Sequence, residues 1–127
     1  MSEPTWVLVN ESGDSKTFVD QASLRKKGAF VTATVRYALN PPGTDTRNGK
    51  PIREMLMQEE YDINEGSFCL HHVLFIYVDG STGPPIEMEP SWEIAEGVNL
   101  QTLEFLRRQE GSATAARSNS KWWQLWK

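Results

Sequence analysis

The sequence predicts an α+β fold, in which an antiparallel sheet of about six strands carries one C-terminal helix packed on it. The clearest strand pattern lies at residues 29–39, where the apolar positions recur with the two-residue period of a strand. One face of this strand would carry Val31, Ala33, Val35, Tyr37 and Leu39. The clearest helix pattern is Leu100, Leu103 and Leu106, because a spacing of three residues places them on one helical face. Several strands followed by a single helix are typical of the α+β class.

Length and charge restrict the classes of protein to which this chain can belong. Its 127 residues suit a single domain with its own core. Its 13 lysine and arginine residues against 17 aspartate and glutamate residues give a net charge of -4, which disfavours nucleic acids and acidic lipid surfaces as partners. No run of residues is apolar for long enough to form a membrane helix, and we recognise no export signal at the N terminus. We therefore expect one domain that binds no nucleic acid.

The first third of the chain predicts a hairpin and a tight turn. Residues 5–10 form a short apolar run that ends in a turn-rich cluster, so they would pair with residues 17–20. Asp20 is suited to cap a short helical turn, and Gly28 is suited to the reversal that follows, since glycine accepts positive φ. The chain would then enter the long strand at 29–39.

The middle of the chain predicts a loop and a second long strand. Residues 40–51 contain three prolines, two glycines and no apolar residue, so we expect an exposed loop. Residues 53–63 alternate as a strand whose apolar side is interrupted by Glu59. Residues 64–67 are suited to a hairpin turn, so the next strand would lie beside this one.

The next segment predicts the centre of the sheet, a short edge strand and the helix. Residues 68–78 are apolar on both faces apart from two histidines, which indicates a central strand. Residues 84–88 would form a short strand whose prolines lie at its start or at an edge, because proline cannot donate to a ladder. Asn99 is a candidate N-cap for the helix, and Gly111 would end it. One helix covers only one face of a sheet, so we expect the other face to bind a partner and a homodimer to form.

The C-terminal end differs in composition from the rest. We divide the chain into a domain at 1–110, a flexible linker at 111–120 and a tryptophan-rich tail at 121–127. The tail contains Trp122, Trp123, Leu125 and Trp126, and these large apolar side chains are costly to leave in water. We expect them to bind a partner or a second copy, to fold back as a lid on their own sheet, or to touch a membrane interface. Membrane contact is expected through this tail alone.

Five features of the chain occur in a distinctive order. They are Trp6 in an early strand, the motif Asp20-x-x-Ser23-Leu24-Arg25-x-x-Gly28, the triplet Glu60-Tyr61-Asp62, the motif Tyr77-x-Asp79-Gly80, and Trp92 before the helix. Over roughly residues 5–108 this order resembles the bacterial surface-adhesin protein E family. The resemblance implies an antiparallel sheet with a packed helix. It also implies adhesion to host proteins rather than catalysis.

The chain departs from that family at its cysteines. The family carries one cysteine directly after its Tyr-Asp and another near the end of the helix, where this chain has Ile63 and the Leu106-Arg107 region. Cys69 is the single cysteine and cannot form an intramolecular disulfide. The missing bridge and the missing export signal favour the cytoplasm, where disulfides are rare. The cell surface or the periplasm would follow if a leader had been removed.

The histidines and acidic residues predict no catalytic or metal site. His71 and His72 are neighbours in a strand, so their rings would point to opposite faces and bind no common metal. Cys69 and His71 would share a face, but no third group that would orient them is recognisable. Glu87 and Glu89 are expected to form a solvated face, and the turn at residues 80–83 matches no nucleotide-binding loop. We expect no enzyme activity, no metal and no cofactor.

The sequence therefore predicts a non-enzymatic protein-binding module, with recognition through the sheet surface or the tryptophan-rich tail. The partner is an unidentified protein. One alternative is a small-ligand carrier or a cryptic enzyme, with a pocket between sheet and helix at His71, Tyr77 and Trp92. Another is a regulatory or assembly subunit that docks by its C-terminal tail.

Overall fold

The computed structural model describes residues 3–115, with the side chains of residues 3–109. Within these residues the chain forms eight strands, a short 3-10 turn at Gln21–Ser23 and one α-helix, α1, at Val98–Ala115. The strands are β1 (Trp6–Ser12), β2 (Ser15–Asp20), β3 (Arg25–Lys27), β4 (Phe30–Thr44), β5 (Pro51–Asp62), β6 (Ser67–Tyr77), β7 (Ile86–Glu87) and β8 (Glu93–Ile94). The predicted α+β class, an antiparallel sheet with a C-terminal helix, is confirmed.

The strands form one antiparallel sheet in the order β1-β2-β4-β5-β6-β7. In addition, β3 pairs with β4, and β8 pairs with β6. The described residues contain eight strands where about six were predicted, and the two that the sequence did not indicate are β3 and β8. They are three and two residues long, too short for an alternating pattern to be recognised.

The long strand β4 extends further than predicted. It continues to Thr44, past residue 40, where the sequence predicted the start of an exposed loop. Its register with β5 breaks between Ala38 and Gly43, and Pro41 and Pro42 lie in that break, where the ladder requires no donor. The loop proper is therefore limited to residues 45–50.

The core lies between the sheet and α1. Val31, Ala33 and Val35 of β4 are at most 1% exposed, as are Leu103 and Leu106 of α1. Leu100 is half-buried and packs against the same cluster. The predicted apolar faces of β4 and α1 are thus confirmed. The predicted central strand is also confirmed, because β6 has β5 on one side and β7 and β8 on the other.

The ends of the helix differ from the prediction. Asn99 lies inside α1 rather than at its N-cap, and the helix passes Gly111 and ends at Ala115. Glycine inside a helix costs only about 1 kcal/mol relative to alanine, which the rest of the helix can offset. Residues 111–115 of the predicted linker are therefore helical, and residues 116–127 lie outside the described chain.

No helix in the described part of the chain is both long enough and apolar enough to cross a membrane.

Candidate functional site

The sheet has one face covered by α1 and another that no helix covers within residues 3–115. Val35 lies in the core, so its neighbours Thr34 and Arg36 point to the opposite face, because side chains alternate along a strand. Cross-strand partners share a face. Gln58, the partner of Thr34, and His72, the partner of Gln58, therefore lie on that side as well. We call this surface the helix-free face.

Three large apolar side chains are exposed together on the helix-free face. Phe30 is 40% exposed, Trp92 45% and Ile94 67%. Phe30 and Ile94 lie in one cross-strand row, because Phe30 pairs with Asp62, Asp62 with Ser67, and Ser67 with Ile94. The rings of Phe30 and Trp92 meet edge to face, with their centroids 5.6 Å apart. We call Phe30, Trp92 and Ile94 the aromatic patch.

Two exposed basic residues border the aromatic patch. Lys27 pairs with Phe30 and Arg25 pairs with Thr32, so both basic side chains lie on the helix-free face. Tryptophan and arginine are enriched among the residues that contribute most to protein–protein binding. The border therefore places positive charge beside exposed apolar surface.

A second aromatic group lies further along the same face. The guanidinium carbon of Arg36 is 4.8 Å from the ring centroid of Trp6 and 4.5 Å from that of Phe18. Its buried Nε lies 3.9 Å from Oε2 of Glu54 and has no hydrogen-bond partner. Cation–π contact with two rings and the ion pair with Glu54 together orient this guanidinium.

The strand β6 contains a β-bulge at its two histidines. The register with β5 shifts between Leu70 and His72, which leaves His71 as the extra residue. The two imidazole rings lie 6.5 Å apart, and Nε2 of His71 is 2.8 Å from Oε1 of Glu60. The prediction that the rings point to opposite faces is wrong, because a bulge interrupts strand alternation and both rings line one groove.

That groove has a volume of about 340 Å³ and lies where β7 joins the bulge. We call it the histidine groove, and its lining residues are His71, His72, Glu87, Met88, Glu89 and Pro90. The backbone N–H of Met88 donates to the carbonyl of His71 at 2.8 Å, and Glu87 pairs with His72. Two exposed glutamates therefore line the groove together with two histidines, Met88 and Pro90. Among the described residues no three His, Cys, Asp or Glu side chains are arranged to hold a metal ion.

Tyr77 lies at the end of β6, where it binds the loop at residues 45–50. Its hydroxyl donates to Oδ2 of Asp45 at 2.7 Å and accepts from Nδ2 of Asn48 at 3.1 Å. Nε and Nη2 of Arg47 donate to the same Asp45 carboxylate at 3.0 and 2.8 Å. The Arg47 bonds, followed by the Tyr77 bond, hold the pKa of Asp45 well below its usual range. This cluster fastens the loop to the sheet.

The three residues of the predicted pocket lie in different surroundings. His71 lines the histidine groove, Trp92 packs on Phe30, and Tyr77 binds Asp45. Only His71 of the three lines the described groove. The sequence analysis missed that Asp45 binds the Tyr77 hydroxyl, because it predicted a uniformly exposed loop at that position.

Between the sheet and α1 lies a buried carboxyl group that the sequence indicated only as an interruption. Glu59 is 1% exposed and accepts hydrogen bonds from the hydroxyls of Tyr37, to Oε2 at 2.5 Å, and Tyr61, to Oε1 at 2.7 Å. Nδ2 of Asn99 in α1 donates to the Tyr61 hydroxyl at 3.1 Å. Burial raises the pKa of Glu59. The network joins β4, β5 and α1 around a buried carboxyl group, so its role is structural. The sequence did contain a signal for this network. Glu59 falls on the apolar side of an interior strand, two residues from Tyr61.

The predicted partner-binding residues Trp122, Trp123, Leu125 and Trp126 lie outside the described residues, so their binding role stays a prediction.

Comparison with known proteins returned no match. No family model matches the chain, and neither a curated protein nor a solved structure matches it.

Proposed function

We propose that this chain is a non-enzymatic protein-binding module of the surface-adhesin E type, which binds its partner through the aromatic patch. The observation that carries the proposal is the joint exposure of Phe30, Trp92 and Ile94 on the face that α1 leaves uncovered. Exposed apolar side chains that form one contiguous group mark interaction sites more often than scattered ones do.

The chemistry around the patch supports a protein as the partner. The row that contains Phe30 and Ile94 crosses four hydrogen-bonded strands, and such a continuous surface is suited to another folded protein. Arg25 and Lys27 at its border add charge that would steer an acidic partner. The resemblance to surface-adhesin protein E supports host proteins as the partner class.

Binding to a panel of immobilised host serum and matrix proteins tests this function. The full chain is compared with the double variant Trp92→Ser/Ile94→Ser, which removes the two most exposed side chains of the patch. Each truncation of a central anchor costs about 1–2 kcal/mol or more, so we expect the affinity to fall at least about tenfold.

The matched control is Val78→Ser. Val78 is 47% exposed and follows the opposite end of β6, so its replacement removes exposed apolar surface away from the patch. We expect this variant to bind like the unmodified chain. Equal affinities for the patch variant and the control, with both folded by circular dichroism, would contradict the proposed site.

A further inference from the structure

The loop at residues 45–50 contains a chemically reactive pair, Asn48 followed by Gly49, and this is the single Asn-Gly pair in the sequence. Glycine has no Cβ, so its backbone nitrogen is the least hindered amide that can meet the side chain of the preceding residue. We call Asp45, Asn48 and Tyr77, which are joined by hydrogen bonds, the loop cluster. We propose that Asn48 is a modification site that converts slowly and irreversibly to aspartate, that the loop cluster delays this conversion, and that the conversion releases the loop.

The conversion needs water as its sole co-reactant. The backbone nitrogen of Gly49 attacks Cγ of Asn48, a new C–N bond closes a succinimide ring, and the bond from Cγ to Nδ2 breaks. Ammonia leaves with the proton of the Gly49 N–H. Water then opens the ring at either carbonyl carbon, which restores the backbone N–H and leaves the carboxylate of an aspartate or an isoaspartate. No oxidant or reductant takes part, and asparagine counts among the thermolabile residues.

In the folded loop, both reacting groups are held by hydrogen bonds. The N–H of Gly49 donates to the backbone carbonyl of Asp45 at 2.6 Å. Nδ2 of Asn48 donates to the Tyr77 hydroxyl at 3.1 Å, and Oδ1 accepts from the backbone N–H of Lys50 at 2.9 Å. Ring closure removes the Gly49 proton and expels Nδ2. The bonds to Asp45 and to Tyr77 must therefore be lost before the product forms.

The groups that hold the reactive pair are themselves fixed to the sheet. Asp45 and Tyr77 are each 2% exposed, and the Tyr77 hydroxyl donates to Oδ2 of Asp45 at 2.7 Å. The backbone N–H of Asp45 donates to the carbonyl of Lys50 at 2.9 Å, which closes the loop. Opening the loop therefore disturbs buried groups, and regions held in this way open rarely. We expect the folded chain to convert more slowly than the unfolded chain.

The product cannot replace Asn48 in the loop cluster. The Tyr77 hydroxyl has one proton, which it donates to Asp45, so it can only accept from residue 48. A carboxylate at position 48 has no proton to donate, and it brings a second negative charge to the hydroxyl that already binds Asp45. Nε and Nη2 of Arg47 are already bound to Asp45. The conversion therefore removes a hydrogen bond and adds a repulsion, which together favour release of the loop.

Peptide mapping by mass spectrometry, after incubation of the full chain at mildly alkaline pH, tests the delay. We expect residue 48 to convert at least about tenfold more slowly in the folded chain than in the same chain unfolded in urea. Tyr77→Phe keeps the ring but removes the acceptor of Nδ2, so its folded form should convert at least about fivefold faster than the unmodified folded chain. Equal rates in the folded and unfolded chains would overturn the proposal.

The matched control for Tyr77→Phe is Ile63→Val. Ile63 is half-buried against the core and follows the end of β5 that is remote from the loop. Its truncation and the loss of one hydrogen bond should lower global stability by similar amounts. The conversion rate of residue 48 in Ile63→Val should stay within about twofold of that of the unmodified chain. The delay would be refuted if both variants converted equally fast, because the conversion would then follow global unfolding.

Hydrogen exchange of the Gly49 backbone amide tests the release. Asn48→Asp carries the product side chain from the start, so this amide should exchange at least about fivefold faster than in the unmodified chain. The charge-matched control is Asn64→Asp, at an exposed position beyond the other end of β5, and it should leave the exchange of Gly49 unchanged. Unchanged exchange in Asn48→Asp, or equal acceleration in both variants, would show that the conversion does not release the loop.

Discussion

At the scale of single residues, Glu59 shows how an ionisable side chain can be built into a small core. Its two carboxyl oxygens accept from Tyr37 and Tyr61, and Asn99 extends the network to α1. A buried carboxyl is tolerated only where hydrogen bonds replace its hydration. The raised pKa of Glu59, caused by burial, makes this network a source of pH dependence in folding.

We expect the free energy of unfolding of Glu59→Gln to depend less on pH than that of the unmodified chain. The pKa of Glu59 in the folded chain lies above its value of about 4.3 in the unfolded chain. Its contribution to stability is therefore fully present at pH values below the unfolded pKa, and it is lost as the pH rises through the folded pKa. The unmodified chain should therefore lose free energy of unfolding from about pH 4 upward, relative to Glu59→Gln. Urea denaturation across the pH range measures this. Glu65→Gln, an exposed control, should keep the slope of the unmodified chain, and an identical slope in Glu59→Gln would contradict the assignment.

A second single-residue feature is the close approach of Gly83 to Tyr77. A Cβ at position 83 would lie 2.6 Å from the Tyr77 hydroxyl oxygen. That hydroxyl is also the group that binds Asp45 and Asn48 of the loop. The absence of a side chain at position 83 therefore allows the tyrosine to fasten the loop.

Gly83→Ala should lower the free energy of unfolding by about 1–3 kcal/mol, because overpacking displaces the tyrosine ring. In a Tyr77→Phe background the hydroxyl is missing and the nearest ring atom lies 3.2 Å away, so the same substitution should cost less. A double-mutant cycle by urea denaturation measures the difference. Equal costs in both backgrounds would show that the steric explanation is wrong.

At the scale of elements, the strand and helix patterns predicted the core correctly. Leu103 and Leu106 are buried against Val31 and Val35, as their spacings required. The bulge in β6 was not predictable, because an extra residue in one strand depends on its partner strand. The sequence of β6 itself is compatible with a regular strand and with a bulged one.

Leu103→Ala should destabilise the protein by about 2–4 kcal/mol, because Leu103 is 1% exposed and its loss leaves a cavity between helix and sheet. Glu104→Ala, on the exposed side of the same helical turn, should change stability by less than about 0.5 kcal/mol. Urea denaturation of both variants checks this. Similar effects of the two substitutions would indicate that α1 does not pack on the sheet through this face.

At the scale of the whole molecule, the sheet separates two surfaces of different composition. One face is filled by α1 and the Glu59 network, whereas the other exposes the aromatic patch and carries the histidine groove near its β7 edge. The proposed binding surface therefore lies on the face opposite the core.

Taken alone, the sequence determined the α+β class, the long strands and the buried helical face. These follow from apolar periodicity, which is local and can be read along the chain. The tertiary structure alone decided which side chains meet. Trp92 meets Phe30 because β8 pairs with β6, and His71 shares a groove with Glu87 because a bulge turns its ring. Such contacts join residues distant in the chain, and they depend on register, bulges and crossings, for which a single sequence carries no local pattern.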